Sequence, residues 1–199
     1  FANAVAAGAE AFDSFDGVRL LVVGELGIGN TTAASAVSSA ILGGDPALLT
    51  GPGTGVQGEA FVNKARVVSE AVDRVGEVSP EEALRRLGGR ELAAMAGAMA
   101  RAAECGAAVV VDGFIASAAA LALLKTNPQL MPAFFFGTQS EEPGHAAILE
   151  SLGVTPLLGL GFRLGEGTGA LASVPLIEMA VALHNEMATF EDAAVPDKS

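Results

Sequence analysis

The sequence predicts an α/β fold: a parallel sheet flanked by helices, of Rossmann-like type. Three short runs of branched or aromatic residues recur along the chain, Val18–Val23 (VRLLVV), Ala107–Val111 (AAVVV) and Pro132–Phe136 (PAFFF). Longer helical patterns separate them, and such alternation gives parallel strands joined by helical crossovers. The runs are almost continuously apolar, as strands covered on both faces are. Ligands of such sheets sit beyond the carboxyl ends of the strands. The loops after the three runs are therefore where chemistry is expected.

Taken in order, residues 2–11 (ANAVAAGAEA) read as a helix ahead of the first strand. Thr31–Leu42 is the next helix, stopped by Gly43-Gly44-Asp45-Pro46. Gly51–Gly55 (GPGTG) is a glycine-rich loop, and Glu59–Val75 reads as an amphipathic helix. Ser79-Pro80-Glu81-Glu82 starts another, with Ser as N-cap, Pro at the first position and Glu three residues after the Ser. Glu91–Glu104 is an Ala- and Met-rich helix ending before Gly106, and Ile115–Lys125 is helical. His145–Leu152 is a helix closed by Gly153, Thr155–Leu164 is mixed with one more short strand, and Ala170–Ala188 is the last helix. The polar tail from Glu191 is expected to fray. This divides the chain into an α/β domain over 1–170 and a C-terminal helical segment of a small domain over 171–199.

Composition narrows the function. The 199 residues include 23 acidic against 11 basic, a net charge of −12, with a pI of about 4.5. A nucleic-acid binder needs the opposite balance, and an anionic membrane surface repels such a chain. The mean hydropathy of +0.47 is high, but the longest uncharged stretch, Leu26–Gly44, opens with glycines and carries Asn30, Thr31, Thr32 and three serines. It reads as a loop followed by a buried helix rather than a membrane span. One cysteine and two distant histidines offer neither a disulfide framework nor a metal-ligand spacing. Cys105 is expected to be a buried small hydrophobe. His145, at a helix start, either touches a ligand or stabilises the turn, the second being the favoured reading, and His184 reads as a packing or interface residue. The chain begins at Phe1 without a secretory leader pattern. It is read as a fragment or processed form, expected in the cytoplasm.

Three loops carry chemical signals. Gly24-Glu25-Leu26-Gly27-Ile28-Gly29-Asn30-Thr31 joins a strand to a helix, where successive N–H groups and the helix dipole favour a phosphate. Its spacing matches a P-loop except at Asn30, where the triphosphate motif requires Lys. A monophosphate or a ribose hydroxyl fits better, and a ligand-free tight turn is the plain alternative. Gly53, Thr54 and Gly55 allow close approach and a hydroxyl contact, and Lys64 lies within reach of a phosphate there, the alternative being a solvated lysine. In Gly165-Glu166-Gly167-Thr168-Gly169 a carboxylate stands between glycines before a helix. Such a Glu in an apolar pocket serves as a general base, while a helix-start Glu favoured by the dipole is the competing reading. Asp112 ends a strand at the ligand edge, with a site role and a turn-capping role both open.

Together these stretches resemble the nicotinate-nucleotide:dimethylbenzimidazole phosphoribosyltransferase family. The matching segments are GELGIGNTTAASAV (24–37), GPGTGV with Lys64, LGGRELAAMAGAM (87–99), VVVDGFIASAAAL (109–121), EEPGHAAILESLG (141–153), RLGEGTGALASVPLIEMA (163–180) and HNEMATFEDAAV (184–195). The resemblance implies transfer of phosphoribose from nicotinate mononucleotide to a benzimidazole base, giving α-ribazole phosphate and nicotinate for cobalamin nucleotide-loop assembly. It implies no metal or redox cofactor and a homodimer. Glu166 falls on the family's proposed general base. Glu25, Leu26 and Leu164 fall near the base pocket. Gly27, Thr54, Gly55, Lys64 and the Ser140 loop fall around the phosphate and ribose, and Gly29, Asn30, Thr31, Gly53, Asp112, Gly165 and Gly167 belong to the same substrate-binding motifs. Family members carry a further N-terminal portion, so a fragment and a natural short form are both read here. The alternative function is a catalytically incomplete nucleotide-binding or partner subunit of the same fold. A degenerate P-loop NTPase is disfavoured by Asn30.

Overall fold

The computed structural model describes residues 1–193. The chain runs α1 (Ala2–Asp13), β1 (Leu20–Val23), α2 (Asn30–Leu42), α3 (Gly58–Val75), α4 (Pro80–Leu87), α5 (Gly89–Glu104), β2 (Ala108–Val111), α6 (Phe114–Thr126), a 3-10 turn (Pro128–Ala133), β3 (Phe134–Phe136), α7 (Pro143–Leu152) and α8 (Thr168–Glu186). The strands form one parallel sheet in the order β1-β2-β3. Val23 pairs with Val111, and Val111 with Phe136, so all three strands end level. Gly24, Asp112 and Gly137 therefore emerge side by side along one edge. Val109, Val110 and Val111 have no exposed surface, so both faces of the central strand are covered. This is the condition under which a parallel strand carries an unbroken apolar run.

The helices follow their sequence signals. Ser79 Oγ accepts the Glu82 N–H at 3.2 Å and Pro80 opens α4. Gly43, Gly76 and Gly153 end α2, α3 and α7 at positive φ, where a Cβ would be strained. α6 is buried on nearly every side, from Phe114 through Leu124, and is apolar all round for that reason. Small residues let the other helices pack closely. At the α1–α5 crossing a Cβ on Gly97 would lie 2.0 Å from the Val5 carbonyl oxygen, and one on Gly8 would lie 1.8 Å from that of Ala94.

Four expectations are corrected. Pro132 and Ala133 belong to the 3-10 turn and not to β3, because proline has no N–H for a strand ladder. Thr155–Leu164 forms no strand. It contributes an isolated bridge, Leu158 to Thr138, with the Leu157 N–H on the Phe136 carbonyl at 2.8 Å. Cys105 is exposed, since it caps the end of α5 beyond the buried face of that helix. The start of the polar tail is closed into a turn, with Asp192 accepting the Thr189 N–H and hydroxyl. The rest of that tail, with the end of the 184–195 segment, lies outside the described residues. The 170/171 boundary falls in the first turn of α8. Among the described residues no helix is long and apolar enough to cross a membrane.

The α1–α5 crossing yields a prediction whose sign is diagnostic. A Gly→Ala change inside a helix ordinarily stabilises by about 1 kcal/mol. At Gly97 the clash with Val5 reverses this, and Gly97→Ala is expected to lose about 1–3 kcal/mol as an overpacked contact does. Urea unfolding measures it, and a stabilised variant would show that the two helices do not meet as described.

Candidate active site

Because the strands are parallel and end level, their following loops converge. With the Pro52–Thr54 loop and the segment ahead of α8 they enclose a cleft of about 270 Å³. Of the residues singled out in the sequence, the cleft is lined by Glu25, Leu26, Gly27, Gly29, Thr31, Gly53, Thr54, Asp112, Ser140, Leu164, Gly165 and Glu166. Asn30, Gly55, Lys64 and Gly167 do not line it.

Asp112 organises one side. Its Oδ1 accepts the Ala170 N–H at 2.9 Å and its Oδ2 the Gly167 N–H at 3.2 Å. The N-cap of α8 is Gly167 and has no side chain to cap with. An N-cap side chain normally accepts the N–H three residues on, and a capping-box acid returns to the N–H of the cap itself. Asp112 performs both functions from the end of β2. It is buried, and the positive end of the helix dipole favours its carboxylate. Of the two readings open for Asp112, capping is the one its oxygens carry out. Glycines permit the approach. A Cβ on Gly24 would lie 2.1 Å from the Gly167 nitrogen, and one on Gly137 2.5 Å from the Ala170 Cα.

This clamp fixes Glu166. Gly165, Glu166 and Gly167 all have positive φ, at 76°, 59° and 81°. Glu166 is the only non-glycine residue in that region among those described, a conformation that costs an L-residue about 1–2 kcal/mol. Its N–H donates to the Glu25 carbonyl at 3.1 Å, tying the turn to the loop after β1. The side chain is exposed on the cleft rim. The apolar enclosure of a buried general base is therefore not formed by the described residues.

The loop after β1 is organised around its own acid. Glu25 Oε2 accepts the Gly27 N–H at 2.7 Å and the Asn30 side-chain amide at 2.8 Å. An amide the sequence offered to a phosphate is thus taken by a carboxylate, and the Asn in the P-loop lysine position holds that carboxylate. Leu26 and Leu164 are 73% and 67% exposed, two apolar side chains on the same open rim as Glu166.

Behind the cleft, Lys64 is buried and not solvated. Its Nζ donates to Thr31 Oγ1 at 2.9 Å and to the Gly51 carbonyl at 2.7 Å. Burial pushes its pKa below the ordinary lysine value, and the nearby Glu142 carboxylate opposes that shift. Glu142, given no role by the sequence, accepts the Gly53 N–H at 2.8 Å across 89 residues of chain. That separation is why no local pattern revealed it. Its Oε2 and the buried Thr138 Oγ1 have no hydrogen-bond partner among the described residues, and both residues line the cleft. The exposed Arg163 pairs with Glu141 at 3.2 Å over the mouth.

His145 is fully buried in the first turn of α7. It meets Ser140 on one ring nitrogen and Ser117 on the other. Burial lowers its pKa from 6.5 to about 4. His184 stands apart, in an apolar groove between β3 and α8.

A family model described as phosphoribosyltransferase matches residues 1–195. The nicotinate-nucleotide–dimethylbenzimidazole phosphoribosyltransferase of Pseudomonas fluorescens is 49% identical over 186 residues, covering 92% of this chain and 53% of that protein. The protein of the same name from Xanthomonas campestris pv. campestris is 48% identical over 198 residues, 98% of this chain and 57% of the relative. The crystal structure of CobT from Thermus thermophilus superposes with a TM-score of 0.91 at 43% identity, over 98% of this chain and 59% of that one. The chain thus spans about half the length of the curated relatives it matches.

The buried acid and the buried imidazole each make a measurable difference to stability. Asp112→Asn turns one acceptor into a donor facing a helix N–H, and is expected to cost about 1–3 kcal/mol in urea unfolding. A wild-type midpoint would remove Asp112 from the cap. For His145 the folded pKa lies below the unfolded one, so the unfolded chain binds the extra proton as pH falls. Its contribution is complete above about pH 6.5 and declines by about 3 kcal/mol as pH falls to about 4. The stability gap between wild type and His145→Asn is expected to narrow across that window, and a pH-independent gap would contradict the neutral buried ring.

Proposed function

The chain belongs to the phosphoribosyltransferase family, and from that premise we propose that it transfers phosphoribose from nicotinate mononucleotide to a benzimidazole-type base. The products are nicotinate and α-ribazole phosphate, the latter for cobalamin nucleotide-loop assembly. The observation that carries this reading is the placement of Glu166. A carboxylate is held in a left-handed turn over the ends of a parallel sheet, beside two apolar side chains that a flat base would bury.

The chemistry suits such a site. The pyridinium of nicotinate mononucleotide is already cationic, so nicotinate leaves without a general acid. The unprotonated ring nitrogen of the base attacks the anomeric carbon from the opposite face, turning a β-glycosidic bond into an α one. Attack leaves positive charge on the new ring, whose other N–H gives its proton to Glu166. These steps call on no metal or redox centre. Leu26 and Leu164 flank the base. Thr31 and Thr54, which line the cleft, take the phosphate with Lys64 behind Thr31, and Gly53 and Gly55 let their loop approach it closely. Glu25, Gly27, Gly29 and Gly165 shape the walls, Asn30 holds Glu25 in place, and Asp112 supports them through Gly167. Orienting the two substrates in line supplies much of the remaining acceleration.

The same proposal places the chain in the cytoplasm as a homodimer, with α8 in a small helical domain. In its support, Leu171, Met179 and Leu183 are exposed along α8, apolar surface that such contacts would cover.

Nicotinate release from nicotinate mononucleotide and dimethylbenzimidazole, followed by chromatography, tests the reaction. Release should depend on the base and fall ~100- to 10,000-fold in Glu166→Gln, the range of a positioned base. Nucleotide binding without release would instead identify a nucleotide-binding subunit. Glu166→Gly should lose transfer while gaining about 1 kcal/mol of stability, because glycine tolerates the left-handed turn. A loss of stability there would mean that the side chain, and not the backbone, holds the turn.

A further inference from the structure

His145 has no part in the proton transfer above, yet its imidazole sits at the centre of a hydrogen-bond chain that reaches the cleft. Nδ1 lies 3.0 Å from both the backbone nitrogen and the Oγ of Ser140. Nε2 lies 3.0 Å from Ser117 Oγ. A backbone N–H can only donate, so Nδ1 is the lone-pair nitrogen and the ring proton sits on Nε2. Nε2–H then donates to Ser117. Ser140 Oγ lies on the same lone pair, to which a hydroxyl can hydrogen-bond only as a donor, sharing it with the Ser140 N–H. Its two lone pairs are what remain for a ligand.

We infer that His145 is a positioning residue that makes Ser140 an acceptor-only hydroxyl, and that Ser140 receives a ribose hydroxyl of the nucleotide rather than donating to its phosphate. The inference rests on the reading of the cleft as a nucleotide site. A hydroxyl whose hydrogen is engaged has nothing to donate to a phosphate dianion, which only accepts, whereas a ribose hydroxyl can donate to its lone pairs. The ring is completely buried, and Phe114 packs beside it with ring centroids 6.5 Å apart. Phe114 also lines the cleft, and a Cβ on Gly144 would lie 2.7 Å from its ring. The imidazole is thus held in a fixed orientation, as positioning of a neighbour requires.

The test joins binding to a ligand-free measurement. Calorimetry would use nicotinate mononucleotide and its 2′-deoxy and 3′-deoxy analogues. Wild type should bind one analogue about tenfold more weakly than the parent, the value of one lost hydrogen bond. Ser140→Ala and His145→Gln, which lacks an acceptor at the Nδ1 position, should bind the parent about tenfold more weakly and no longer distinguish that analogue. The double variant should be no worse than Ser140→Ala. His145→Asn, whose Oδ1 replaces Nδ1, should restore the discrimination. Additive losses, or discrimination that survives His145→Gln, would overturn the inference. Nitrogen NMR of the wild-type imidazole decides the tautomer without any variant or ligand, and a protonated Nδ1 overturns the inference outright. A wild type that binds no nucleotide defeats the nucleotide reading and the ribose contact with it, while the tautomer still judges the link from His145 to Ser140.

Discussion

The Asp112 carboxylate, set at the end of the central strand and against the start of α8, is the contact on which the site depends. A helix that opens with glycines cannot cap itself. Here the missing acceptor is supplied from 55 and 58 residues away, by a side chain whose position the sheet fixes. The cap does more than stabilise α8. It brings Glu166 and Gly167 down onto Gly24, and Ala170 down onto Gly137, where only glycine leaves room for backbone against backbone. Glu166 then follows from the geometry of that turn, held between two glycines and tied to the Glu25 carbonyl.

The cleft is acidic, and its acids are treated differently. Asp112 is spent on α8, Glu25 on Gly27 and Asn30, and Glu142 in part on Gly53. Glu166 alone among these has a side chain without a hydrogen bond among the described residues, in a backbone conformation that costs free energy to maintain. Strain at one residue is tolerated where the surrounding structure over-determines it. The glycine contacts, the Asp112 cap and the link to Glu25 over-determine this turn. Lys64 is the counterpart on the other side, a buried cation whose donors join Thr31 to Gly51.

Much of this was legible locally. The branched runs marked β1 and β2, because β-branched apolar residues in short blocks suit a strand buried on both faces. Ser79 with Pro80 and Glu82 marked the start of α4, because capping involves residues three apart. The glycine-flanked Glu166 stood out because glycine on both sides of an acid signals backbone freedom. Pro132 misled at the edge of β3, since a run of apolar residues does not show which of them must donate to the ladder. Cys105 misled because its character as a small hydrophobe says nothing of its place at the end of α5.

The alternation of strand and helix, the edge of the sheet where a ligand site forms, and the loops that build it are all readable along the chain. They are properties of neighbouring residues and of the handedness and parallelism that βαβ units impose. What each polar group does was settled by folding alone. Asp112 became a cap, Asn30 a clamp on Glu25, Lys64 a buried strut, and Ser140 an acceptor under His145. Each assignment depends on a partner brought near in space, and on donors and acceptors that must pair once water is excluded. Spacing along the chain carries no record of that pairing.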